Sequence, residues 1–104
     1  MVFVETPTFV KQALEYLPDD ELRQVQAALI AGPRAGDPIR GAGGVRKLRW
    51  KGAGRGKRGG VRIIYYRHAA GSRIYLLLMY PKNVQDDLTQ DQIATLRKLV
   101  KEIV

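Results

Sequence analysis

An α+β fold is expected from three features of the chain. Two helical patterns come first, three strand-like runs follow, and a capped helical pattern closes the sequence. Helices and strands segregated in this way mark α+β rather than alternating α/β architecture. The expected order is β-α-α-β-β-β-α: a mainly antiparallel, four-stranded sheet with an N-terminal helical hairpin and a C-terminal helix. The 104 residues suit one domain, taken as 1–104.

Phe3 and Val4 open a short strand. Thr6-Pro7 reads as N-cap and first helical position, because proline there gives up no needed donor. Phe9, Val10, Ala13, Leu14 and Leu17 recur at helical spacing, and Pro18 ends that helix and begins the next. Asp19, Asp20 and Glu21 suit the positive end of the second helix dipole. Leu22, Val25, Ala28 and Leu29 form its apolar stripe, which Gly32-Pro33 stops.

Residues 32–44, rich in glycine and proline, read as a loop. Val45 to Trp50 alternates, with Val45, Lys47 and Arg49 on one face and Arg46, Leu48 and Trp50 on the other. Lys51 to Gly60 is a glycine-basic loop, and Val61 to Tyr66 is a β-branched and aromatic strand. Ala70-Gly71-Ser72 is a tight turn into Arg73 to Tyr80. That run is apolar on both faces, as a central covered strand would be, and pairs antiparallel with the strand before it. Thr89 to Gln92 forms a capping box, Leu88 and Ile93 stand at staple spacing, and Ile93, Leu96, Val100 and Ile103 share one helix face.

Charge sets the function class. The formal net charge is +8, but it is unevenly placed. Pro38 to Gln85 holds twelve basic residues and no acid, for +12, while the flanks sum to −4. A one-sign block on strand-like sequence is the footprint of a phosphate-backbone binder. The absence of cysteine excludes disulfides and thiolate chemistry. An acid at Glu5 comes too early for a signal peptide, and the apolar run Ile74 to Pro81 is too short for a bilayer. A cytoplasmic protein with no membrane partner is expected.

Several familiar motifs fail on context. Gly54-Arg55-Gly56-Lys57-Arg58-Gly59 has G-x-G-x-x-G spacing, and Gly60-Val61 extends it to the kinase form. It opens a strand rather than a helix, and the chain has no room for a kinase catalytic lobe. A Walker A loop is excluded because Gly52 and Gly56 are one residue too close and Arg58 follows Lys57. The preferred reading is a basic loop whose Arg55, Lys57 and Arg58 clamp phosphates. His68, the one histidine, reads as a rim residue. Asp19/Asp20 and Asp86/Asp87 read as acids at helix starts, and no metal or cofactor is expected.

What remains is chemistry by lysine, arginine and tyrosine. If the Lys47/Arg49 face coincides with that of Arg62 and Ile64, three cations share one groove, with Tyr80 and Lys82 arriving at the end of the next strand. A lysine among arginines loses its proton more readily and can act as a base. Arginines neutralise charge developing on a phosphoryl group. Attack of an RNA 2′-hydroxyl on the adjacent phosphate suits such a set; on charge alone a phosphate-binding groove without catalysis is slightly the preferred reading.

Three segments resemble the RelE/ParE toxin superfamily, closest to its HigB-like branch. They are Gly44-Val45-Arg46-Lys47-Leu48-Arg49-Trp50, then Gly54 through Tyr66, then Ile74 through Asn83, with Asp87-Leu88-Thr89 opening the last helix. The resemblance implies a RelE-like fold and the toxin of a type II toxin–antitoxin pair, a ribosome-dependent mRNA endonuclease that cleaves in the ribosomal A site without metal. It also implies a cognate antitoxin, a helix-turn-helix protein with an acidic or disordered toxin-binding segment. The family's basic positions fall on Lys47, Arg49, Arg62 and Lys82. Lys47 is expected as base, Arg62 as phosphate stabiliser, and Lys82 as transition-state stabiliser or acid. Tyr80 stands in for a tyrosine that RelE-type enzymes carry further on, and Val45 occupies a position where some members have a second lysine. Arg46, Arg49, Lys51, Arg55, Lys57 and Arg58 are the expected RNA contacts. The alternative is a non-nuclease member, either a ParE-like gyrase inhibitor or a non-catalytic RNA-binding module.

Overall fold

The computed structural model describes residues 1–51, 60–70, 72–85 and 87–103. Its elements are β1 (Val2–Glu5), α1 (Pro7–Tyr16), α2 (Asp19–Ala31), β2 (Asp37–Pro38), β3 (Arg46–Trp50), β4 (Val61–His68), β5 (Arg73–Pro81) and α3 (Gln90–Ile103). The α+β class and element order are as expected, with one addition. The sheet has five strands, ordered β1-β5-β4-β3-β2, not four. The extra strand is the two-residue β2, antiparallel to β3 through Asp37↔Lys47 and Pro38↔Arg46. Glycine and proline surround it and two residues carry no alternation, so the sequence there reads as loop. β1 joins β5 in parallel, and β3, β4 and β5 pair antiparallel.

Local chemistry explains the helices. The Phe9 N–H donates to Thr6 Oγ1 at 3.0 Å with Pro7 just inside the helix. Thr89 and Gln92 close the capping box in both directions, at 2.8 and 3.1 Å.

The sheet buries both faces. On one, α1 and α2 supply Phe9, Ala13, Leu17, Val25 and Leu29 against Ile63, Tyr65, Ile74, Leu76 and Met79. On the other, Leu96 and Val100 of α3 pack on Val45, Ile64, Leu77 and Tyr80, with Ala42 of the β2–β3 loop. The central β5 is covered on both sides, as its composition implied.

A β-bulge interrupts this strand. The register passes from Ile64↔Leu78 to Tyr65↔Leu76, leaving Leu77 as an extra residue. Thr6 Oγ1 donates to the Leu77 carbonyl at 2.6 Å, and the Met79 N–H donates to Gln12 Oε1 at 2.7 Å. Thr6 and α1 thus bind the irregular backbone that the ladder cannot fully serve.

Tyr65 anchors the chain ahead of β2. Its hydroxyl donates to the Pro33 carbonyl at 2.8 Å and accepts from the Gly36 N–H at 2.9 Å. Burial pushes the phenol above its ordinary range, partly offset by the Gly36 bond and Arg46, so it stays a donor. Gly36 leaves space for that ring: a Cβ there would lie 2.8 Å from both the ring and the Lys47 carbonyl. Tyr65→Phe strands both backbone groups and should cost about 1–3 kcal/mol of unfolding free energy, read by denaturant titration.

Candidate phosphate-binding groove

The strand register answers the question the alternation left open. Arg49 stands opposite Arg62, and Arg62 opposite Tyr80; one row along, Lys47 stands opposite Ile64. Directly paired residues share a face, so Lys47, Arg49, Arg62 and Tyr80 all lie on the α3 side of the sheet. Arg62 and Tyr80 form its recessed part, with 6% and 5% of their surfaces exposed. A recessed cation is screened less by salt than one at the surface.

Lys47 and Arg49 each hold an acid. Lys47 Nζ donates to Asp87 Oδ1 at 3.0 Å, joining β3 to the segment before α3. The Lys47 side chain is 16% exposed and that of Asp87 78%, so the pair is open mainly on the acid's side. Arg49 Nη1 donates to Asp37 Oδ2 at 3.1 Å, joining β3 to β2. The hydrogen bond and charge of Lys47 hold the Asp87 carboxyl below its usual range against a desolvation effect, and Arg49 and Arg62 add smaller contributions. Asp87 therefore senses three groove cations together. Because its folded value is depressed, the pair is intact above the ordinary carboxylate range and opens only as pH falls through the depressed value.

Asp87 and Asp37 each occupy a groove cation that a bound anion would need. Asp87→Asn removes the competitor of Lys47 and keeps its shape. Binding of single-stranded RNA should tighten by roughly two- to fivefold at low salt, with the gain shrinking at high salt. Filter binding at two salt concentrations measures it.

The other expected residues divide. Lys82 follows β5, exposed, and its N–H donates to the Gly60 carbonyl at 3.1 Å across the end of the hairpin. Lys51 is exposed at the end of β3. Arg46 is not in the groove. It faces the helical pair, opposite Tyr65, and its Nη1 donates to the Gly36 carbonyl at 2.7 Å and the Arg34 carbonyl at 3.4 Å. It holds the loop before β2. Arg55, Lys57 and Arg58, with the expected phosphate-clamping loop, lie outside the described residues, as do Gly71 and Asp86.

Sequence reasoning missed the roles of Asp87 and Asp37. Asp87 read as a helix-start acid, and its partner is 40 residues away, beyond any local pattern. Glu21, also read as a helix-start acid, turns inward and accepts from Trp50 Nε1 at 3.2 Å. Among the described residues no cluster of His, Asp or Glu is placed to hold a metal ion, and no helix is long and apolar enough to cross a membrane.

The fold and the chain match known proteins. A free mutant of the E. coli toxin RelE superposes with a TM-score of 0.63 at 13% identity, over 99% of this chain and 97% of that one. A chain of the intact E. coli RelBE toxin–antitoxin complex superposes with a TM-score of 0.58 at 14% identity, over 77% of this chain and 94% of that one. At such identities these likenesses speak for the fold. The family model described as the RelE toxin of the RelE/RelB toxin–antitoxin system matches residues 2–104, nearly the whole sequence. The chain belongs to the RelE toxin family.

Proposed function

We propose that this protein is a ribosome-dependent mRNA endonuclease, the toxin of a type II toxin–antitoxin pair. It acts in the cytoplasm on mRNA in the ribosomal A site and is held in check by a cognate antitoxin with an acidic toxin-binding segment. The observation that carries the reading is the common face of Lys47, Arg49 and Arg62 on two adjacent strands. A bare basic surface would bind phosphate anywhere, whereas two in-register rows select one geometry.

In this mechanism the phosphate displaces Asp87 and takes its place at Lys47. Lys47, freed from its acid and with one ammonium proton released to solvent, accepts the proton of the RNA 2′-hydroxyl as that oxygen attacks the adjacent phosphorus. Arg62 stabilises the charge that builds on the non-bridging oxygens, and Tyr80 flanks Arg62 from the next strand. Lys82 protonates the departing 5′-oxygen. The products are a 2′,3′-cyclic phosphate and a 5′-hydroxyl, with the 2′-proton taken up by Lys47 and one proton supplied by Lys82. Arg49 and Lys51 hold flanking phosphates.

Mapping mRNA ends after induction tests the reading. New 5′-hydroxyl ends should appear inside translated codons and vanish when initiation is blocked. Intact mRNA with arrested replication would instead assign the gyrase-inhibitor alternative.

A further inference from the structure

A cavity of about 420 Å³ opens beside Lys47, between the β2–β3 loop and the start of α3. Its apolar lining is Ile39, Leu88 and Ile93, all half-buried and packed against the second core cluster. Its exposed polar lining includes Arg40 and Gln90, while Lys47 and Asp87 form the end that meets the cation row. The loop wall is fixed in place: the Ile39 N–H donates to the Val45 carbonyl at 2.9 Å, Ala42 is fully buried, and Arg97 Nη1 donates to the Gly41 carbonyl at 2.9 Å.

We propose that this cleft is a nucleobase subsite. It receives the base of a nucleotide whose phosphate lies at Lys47, and so rests on the RNA-cleaving reading of the groove. Three observations meet here. The volume lies within the usual range for small-molecule pockets and exceeds what an isolated ion needs. Apolar walls with a guanidinium and a primary amide at the rim match a base, which offers flat faces for stacking and an edge for hydrogen bonds. The cleft also runs directly into the Lys47 ammonium, so base and phosphate are served from one continuous surface. Charge complementarity argues for RNA as occupant: on the α3 side Lys47 leads to Arg49 and Arg62.

Arg40 therefore stacks on or bonds the base, Gln90 bonds its edge, and neither touches the scissile phosphate. This separates the cleft from the cation rows, which read phosphate alone and carry no base information.

The test is equilibrium binding of a short single-stranded RNA made uncleavable by 2′-O-methylation, alongside an abasic oligonucleotide of the same length. Both side chains are exposed, so Arg40→Ala and Gln90→Ala should fold normally, which circular dichroism checks. Gln90→Ala, which keeps the protein's charge, should weaken the base-bearing oligonucleotide by about tenfold, the scale of one base contact, and leave the abasic one unchanged. Arg40→Ala should show the same preference over a small general loss of charge attraction. Lys47→Ala should weaken both ligands alike. Equal losses for both ligands in Gln90→Ala, or no loss, would overturn the subsite. Weakened antitoxin binding with RNA binding untouched would also overturn it and make the cleft a protein-docking surface. Base-selective binding without any cleavage in mapped mRNA would keep the subsite and remove the endonuclease reading.

Discussion

Arg62→Ala is expected to lower RNA cleavage by about a hundredfold or more, the effect of removing one positioned charge-stabilising donor. Arg62 stands between Arg49 and Tyr80 in one row of the sheet, so no neighbour occupies its place when it is lost. With only 6% of its surface exposed, its charge acts through a poorly screened environment, and water substitutes badly for it. A buried arginine also contributes to packing, so folding must be measured alongside cleavage. Arg62→Lys separates the two: it keeps the charge and most of the stem but loses the planar fork that the proposed mechanism sets against the phosphate oxygens. Thermal unfolding near that of the parent, with cleavage between the parent and Arg62→Ala, is the expected pattern. Parental cleavage by folded Arg62→Ala would remove Arg62 from the mechanism.

Among the described glycines, Gly60→Ala should be the most destabilising single-methyl change. Gly60 has φ of +69°, where a side chain is strained by about 1–3 kcal/mol. An added Cβ would also overlap the Trp50 carbonyl oxygen and lie 2.8 Å from the Lys51 Cα, both backbone atoms. The end of the β3–β4 hairpin must open, at a total cost of roughly 3 kcal/mol or more. The Gly60 carbonyl accepts from the Lys82 N–H, so the same shift moves Lys82 relative to Arg62. Denaturant titration should show the loss, and at temperatures where the variant is still folded its cleavage should remain impaired. Unchanged stability would mean that the hairpin end adapts without strain.

The helices were legible because their signals are local. Thr6-Pro7 and the Thr89–Gln92 box each act within one turn, and the structure closes both. The groove was legible only by halves. Alternation put Lys47 with Arg49, and Arg62 with Ile64, but pairing register decides whether two strands show the same face to one helix. Arg46 shows the limit of charge as a guide. It belongs to the same basic block, yet its strand parity sends it to loop carbonyls on the other side. The Lys47–Asp87 pair and the cleft beside it depend on the segment before α3 meeting β3, which nothing within either segment announces.

The extra residue in β5 has a consequence for where this site is vulnerable. A strand counting evenly from Tyr75 would show Leu77, Met79 and Pro81 to α3 and turn Tyr80 toward the helical pair. Leu77 breaks that count, and Tyr80 comes out beside Arg62 instead. The parity is pinned from behind, by the Thr6 hydroxyl and the Gln12 amide on the far side of the sheet. Gln12 touches neither cation nor cleft, yet it holds the backbone on which the Arg62–Tyr80 row is aimed. The groove thus has a rear support, and a change in α1 reaches it through the thickness of the sheet.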